Sequence, residues 1–128
     1  MKKVVVLIII SFITISVNAQ LANTKWKGTL NIEGGMETLF NFSSDTLVVL
    51  NAGSNETIET MKYTVKDSVV TLQKLYGNSE CDATTIGTYK FEIKNDAMTL
   101  SLVSDGCNDR SGAIGTMKLT SNKLAHGM

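Results

Sequence analysis

The chain predicts an all-β fold, an eight-stranded antiparallel up-and-down (meander) barrel. Three observations carry that prediction. From Trp26 to Thr120 apolar and polar residues alternate with period two, as in strands with one buried face and one wet face. The alternating runs are separated by short clusters of Gly, Asn, Asp and Ser, the residues of tight turns. No window carries a convincing helical stripe, so nothing supplies a crossover and sequential antiparallel pairing is the default. A sheet of this size with one apolar face closes into a barrel or splits into a sandwich. The long connection that a Greek-key sandwich needs is missing, which favours the barrel.

The elements follow in order. Trp26 to Ile32 sets Trp26, Gly28, Leu30 and Ile32 against Lys27, Thr29 and Asn31, and Glu33-Gly34-Gly35 reverses the chain. Met36 to Phe42 puts Met36, Phe40 and Phe42 on one face, and Ser43-Ser44-Asp45 turns. Leu47 to Leu50 is a short apolar strand that ends at Asn51 to Asn55. Glu56 to Lys66 carries Met61, Tyr63 and Val65 on one face, with Glu59, Lys62, Thr64 and Lys66 as the polar remainder. Ile58 has the opposite parity and predicts a bulge or a later strand start.

Asp67-Ser68 leads into Val69 to Leu75, with Val70 and Leu72 inward. Tyr76 to Thr85 is a long loop. Gly87 to Lys94 sets Tyr89, Phe91 and Ile93 against Lys90, Glu92 and Lys94, and Asn95-Asp96 is a hairpin reversal. Ala97 to Val103 brings Met98, Leu100 and Leu102 inward, Ser104 to Gly112 is a second long loop, and Ile114 to Thr120 closes the set with Met117 and Leu119.

Residues 1–19 read as a secretory signal peptide. Lys2 and Lys3 precede an apolar run from Val4 to Ile15, followed by Val17 and Ala19 as small residues before a cut. The run is shorter than the ~20 apolar residues of a spanning helix, so no membrane span is expected after cleavage. Residues 20–128 then form one domain, exported to the periplasm or secreted. Losing Lys2 and Lys3 leaves ten basic against twelve acidic residues, a net charge of −2, which gives no footprint for nucleic acid.

In an oxidising compartment Cys81 and Cys107 are expected to pair. In a meander, alternate loops fall at one end, and both cysteine loops sit at the same rim about two strand spacings of ~4.8 Å apart.

Within this frame Cys81, GTYKFEI from Gly87 and MTLSLVSDGCNDR from Met98 to Arg110 form a pattern C…GxYxF…LxL…DxCxxR. It resembles small secreted bacterial lipocalin-like proteins of the calycin type, over residues 24–120 in architecture and 81–114 in motif. The resemblance makes Trp26 a plug of the closed barrel end, with Lys123 as its basic partner. Thr24 stands where that family places a glycine. Arg110 precedes the last strand and belongs at the opposite rim.

The candidate site is the lumen and its mouth. Its expected lining is Leu30, Met36, Phe40, Met61, Tyr63, Leu72, Tyr89, Phe91, Met98, Leu100 and Met117, either filling the interior or leaving room for one small ligand. The inward methionines suit both outcomes. The ligand contacts are assigned to Phe40, Met61, Tyr63, Tyr89, Phe91, Met98 and Arg110. Asp105 or Asp109 is expected to cap backbone amides or pair with Arg110.

A catalytic role has no support: His126, the single histidine, lies in the tail, and no nucleophile–base pair or phosphate loop is present. No metal or cofactor is indicated, and Asp105, Asn108 and Asp109 lack the spacing of an EF-hand. The expected function is non-catalytic binding of a small hydrophobic or amphipathic molecule. The alternative is a solid-core interaction or inhibitor module that acts through the disulfide-linked loops.

Overall fold

The computed structural model describes residues 20–122; residues 1–19, read as a signal peptide, and Lys123 and His126 lie outside the described residues. Eight strands close into one barrel in sequence order, each antiparallel to the next: β1 Thr24–Leu30, β2 Met36–Phe42, β3 Thr46–Asn51, β4 Thr57–Lys66, β5 Val69–Gly77, β6 Ile86–Lys94, β7 Ala97–Asp105 and β8 Thr116–Ser121. Closure runs through β1 and β8, where Trp26 faces Ser121 and Gly28 faces Leu119. The predicted meander is the observed one. The reversals behave as their residues require: Gly34 and Gly35 take φ of 80° and 66°, and Asp67 and Asn95 sit at 58° and 59°.

Three bulges bend the sheet. Val49 faces Glu59 while Leu50 faces Thr57, so Ile58 is the extra residue, as its parity foretold. Leu75 is extra between Thr60↔Tyr76 and Met61↔Lys74, and Val103 is extra between Thr88↔Ser104 and Tyr89↔Leu102. All three fall toward the end where the cysteine loops lie. There the sheet releases Leu102, expected to point inward, which keeps 43% exposure. Ile32 and Ile93 are likewise exposed, at 41% and 40%, Ile32 in the β1–β2 turn and Ile93 near the end of β6.

One element was not expected. Residues Ser104 to Gly112, read as loop, instead complete β7 through Asp105 and then form a helix, α1 Asn108–Ile114. Ile114 is therefore the last residue of α1 and not the start of the final strand. Seven residues make two turns, too few for a periodic stripe to register. Its buried positions, Arg110 and Ile114, are spaced i, i+4, and one of them is an arginine. The β1–β2 turn holds α1 in place: the Asn31 N–H donates to the Ala113 carbonyl at 2.8 Å, and its side-chain amide donates to the carbonyls of Ile114 and Thr116.

The disulfide Cys81–Cys107 joins the β5–β6 loop to the residue just before α1, with Cα atoms 5.3 Å apart. A disulfide suits an oxidising compartment. Among the described residues no helix is long and apolar enough to cross a membrane.

The two barrel ends differ. Trp26 is buried near the start of β1, and its indole N–H donates to the Thr24 hydroxyl at 2.9 Å. Leu21 is fully buried ahead of it. Phe42 and Tyr63 meet edge to face at 5.0 Å, and the Tyr63 hydroxyl donates to the Ser43 carbonyl. This end is packed with side chains. The opposite end carries α1 and the disulfide, and its interior is not full.

Candidate functional site

At the α1 end the lumen opens into a cavity of about 300 Å³. Its barrel wall is apolar, from Leu30, Met36, Phe40, Val49, Ile58 and Met61, and α1 contributes Ala113 and Ile114. The polar part of the wall comes from Glu59, Asn78, Ser79, Asp109 and Arg110. Of the residues assigned to ligand contact, Phe40, Met61 and Arg110 line this cavity. Tyr63, Tyr89, Phe91 and Met98 do not; they are buried in the packed remainder of the core.

Arg110 is the centre of the polar part. Its Nε donates to Asp105 Oδ2 at 2.7 Å and its Nη2 to Asp105 Oδ1 at 2.8 Å, a bidentate fork. Nη2 also donates to the Thr85 carbonyl at 3.0 Å. The Asp105 side chain is 0% exposed and that of Arg110 4%. Tyr89 completes the cluster, its hydroxyl donating to Asp105 Oδ2 at 2.6 Å, and the Cys107 N–H donates to Asp105 Oδ1 at 2.9 Å. The expected Asp105–Arg110 pairing is thus present. Asp109 caps a different amide, accepting the Glu80 N–H at 3.0 Å.

One donor of the cluster is left over. Arg110 Nη1 is buried and has no hydrogen-bond partner. Such a group costs about 1–3 kcal/mol relative to a satisfied one. Every other guanidinium nitrogen is engaged, so Arg110, a residue of the cavity wall, is held rigidly.

Glu59 is the residue that pattern reading missed. It was grouped with the polar positions of its strand, yet it is buried and lines the lumen. Its odd parity, shared with Met61, Tyr63 and Val65, was the available signal. Its Oε1 accepts the Ser79 N–H at 3.0 Å, its Oε2 accepts the Ser79 hydroxyl, and Lys74 Nζ stands 3.9 Å from Oε2. Gly77 makes room for it: a Cβ there would lie 2.2 Å from Glu59 Oε1.

Ionisation follows from these contacts. Burial pushes the Asp105 carboxyl up, but the donors from Arg110, Tyr89 and Cys107 outweigh it and leave it below its ordinary 3.8. Its contribution to stability is therefore complete above pH 3.8 and is lost as pH falls through the lower folded value. Burial, and then the hydrogen bond to Asp105, pushes the Tyr89 phenol upward. Burial, with Asp45 nearby, pushes Tyr63 up to about 12. A raised phenol stabilises the fold fully below pH 10.0 and loses that contribution as pH rises through the folded value. Alkaline unfolding is expected to begin above pH 10.0 and to coincide with tyrosinate absorbance; tyrosinate appearing with the fold intact would contradict it.

Gly87 in β6 is where the backbone comes closest to the cluster. A Cβ there would lie 2.4 Å from Asp105 Oδ2 and 2.8 Å from Arg110 Nε. Gly87→Ala is expected to cost about 1–3 kcal/mol, seen as a lower urea midpoint with unchanged slope.

Chemically the site offers an apolar chamber whose polar wall holds a buried carboxylate, Glu59. Among the described residues no group of His, Cys, Asp or Glu side chains is arranged to hold a metal ion. Compared with known proteins, the chain matches no protein-family model, no curated protein and no solved structure.

Proposed function

We propose that this is an exported, lipocalin-like binding protein that holds one small amphipathic molecule in the open half of its barrel and performs no chemistry on it. The observation that carries this reading is an apolar cavity of about 300 Å³ with one polar stretch of wall, from Glu59, Asn78, Ser79, Asp109 and Arg110. An apolar tail would displace water from Phe40, Val49 and Met61, and a polar end would meet Glu59, Asn78 and Ser79. Residues 1–19 act as the export signal. The volume is at the small end of ligand pockets, about 300–1,000 Å³, so the ligand is small.

The test is thermal. Eight-carbon amphiphiles of any head group, at a hundredfold excess over Kd, are expected to raise Tm by roughly 10 °C. Ala113→Phe puts a ring from α1 against the cavity and is expected to weaken binding more than about tenfold while the circular dichroism stays native. A wild-type protein that no such compound stabilises, or an Ala113→Phe variant that binds unchanged, overturns the reading.

A second reading has one observation behind it. Leu75 and Tyr76 on β5 and Val103 on β7 are exposed at the disulfide rim, at 50%, 66% and 59%. A protein-contact module working from that rim is the reading they favour. It differs in its response to Ala113→Phe, which leaves the outer rim untouched and partner capture intact.

A further inference from the structure

Building on that binding reading, we infer that the cavity takes a primary amine, a short aliphatic chain whose ammonium head meets Glu59 and Asp109. The hydrogen-bonding capacity left in the polar wall decides this. Donors are nearly exhausted there. The Ser79 hydroxyl donates to Glu59 Oε2 and accepts the Cys81 N–H at 3.4 Å. Arg110 is spent on Asp105 and the Thr85 carbonyl, and its remaining nitrogen is closed within the wall. Among the five polar side chains of the wall, only the Asn78 amide still has N–H groups to offer a ligand.

Acceptors are in surplus. Glu59 lies on the inward face with Met61, and its side chain keeps 10% exposure. A carboxylate has about four lone-pair sites, and this one receives two donors, both from Ser79. Lys74, outside the cavity wall, stands 3.9 Å from Oε2, beyond hydrogen-bond length. Its Nζ donates instead to the Gly77 and Ser79 carbonyls, so it offsets part of the Glu59 charge without filling a lone pair. Asp109 Oδ2 accepts the Glu80 N–H at 3.0 Å, and among the described residues its carboxylate has no ion-pair partner.

Head groups sort by what they bring to such a wall. An ammonium brings three donors, no acceptor and a positive charge, the complement of two carboxylates with capacity to spare. A hydroxyl brings one donor and no charge. A carboxylate brings acceptors alone, and would leave water to meet Glu59 and Asp109 with like charge. Asn78 and Asp109 are exposed, so a head group at this edge of the cavity keeps part of its hydration.

Volume sets the tail. At about 30 Å³ per heavy atom with its hydrogens, the share of a water molecule in the liquid, 300 Å³ accommodates about ten heavy atoms, the size of an eight-carbon amphiphile.

The experiment is a calorimetric titration at neutral pH with octylamine, 1-octanol and octanoate. Octylamine is expected to bind at least about tenfold tighter than octanoate, with 1-octanol between them. Glu59→Gln removes one of the two lining acids and is expected to narrow the octylamine-to-octanoate ratio at least about fivefold. Asp109→Asn, on α1, provides the same comparison without touching the Ser79 contacts, and circular dichroism shows which variants are folded. Octanoate or 1-octanol binding as tightly as octylamine overturns this inference and leaves the binding reading standing. An unchanged ratio in every folded variant likewise overturns it. A protein that binds none of the three overturns the binding reading itself.

Discussion

Arg110→Ala is expected to lower stability by about 3–5 kcal/mol, because it strands the Asp105 carboxylate in a place with no exposed surface. For a domain whose total stability is about 5–15 kcal/mol, that is a large share. The loss has three sources. The bidentate fork disappears, the Thr85 carbonyl loses its donor, and Asp105 keeps only the Tyr89 hydroxyl and the Cys107 amide. Arg110→Lys is expected to recover little, since an ammonium cannot fork to both Asp105 oxygens and reach Thr85 as well.

The decisive companion is the apolar replacement Arg110→Met, Asp105→Leu and Tyr89→Phe made together. Replacing a whole buried ion pair is often neutral or stabilising. The triple variant is expected to match the wild-type urea midpoint while losing ligand binding, which would separate the function of the cluster from its effect on the fold. A triple variant that binds as well as wild type would remove Arg110 from the site.

The second large effect is at the disulfide. Cys81→Ser with Cys107→Ser opens a loop that spans 26 residues, and chain-entropy reasoning puts the cost at about 3–4 kcal/mol. The bridge also has a positional role. Cys107 immediately precedes α1, and α1 supplies Asp109, Arg110, Ala113 and Ile114 to the cavity. Without the bridge, the β5–β6 loop remains tied to this region by the Glu80–Asp109 and Thr85–Arg110 hydrogen bonds. The double variant, or reduction of the native protein, is thus expected to lower Tm and to weaken ligand binding beyond what the stability loss explains. Binding unchanged at a temperature where the reduced protein is still folded would show that α1 needs no tether.

Much of this architecture was legible from alternation alone. Period two located all eight strands, because a residue that alternates between core and water leaves its trace position by position. The parity break at Ile58 announced a bulge, and the two cysteine loops were placed on one rim by counting strands. The helix was not legible. Its buried face consists of little more than Arg110 and Ile114, and a polar run after a cysteine reads as loop. Alternation also says which side chains point inward without saying how well they fill the space. Tyr63 and Tyr89 were correctly turned inward, yet their hydroxyls are engaged by the Ser43 carbonyl and Asp105 and neither reaches the cavity. Phe91 and Met98 share that fate, packed where the lumen is full. Glu59 was the opposite case, a charged residue assumed to face water that its parity and the Ile58 bulge bring inside.

The central claim is that the open half of the barrel receives a small amphiphile. The measurement that tests it most directly is a crystal structure of the wild-type protein grown with octanamide. The account predicts the alkyl tail between Phe40, Val49, Met61 and Ile114, with the amide toward Glu59, Asn78 and Ser79. An empty cavity, or octanamide bound only outside it, would contradict it.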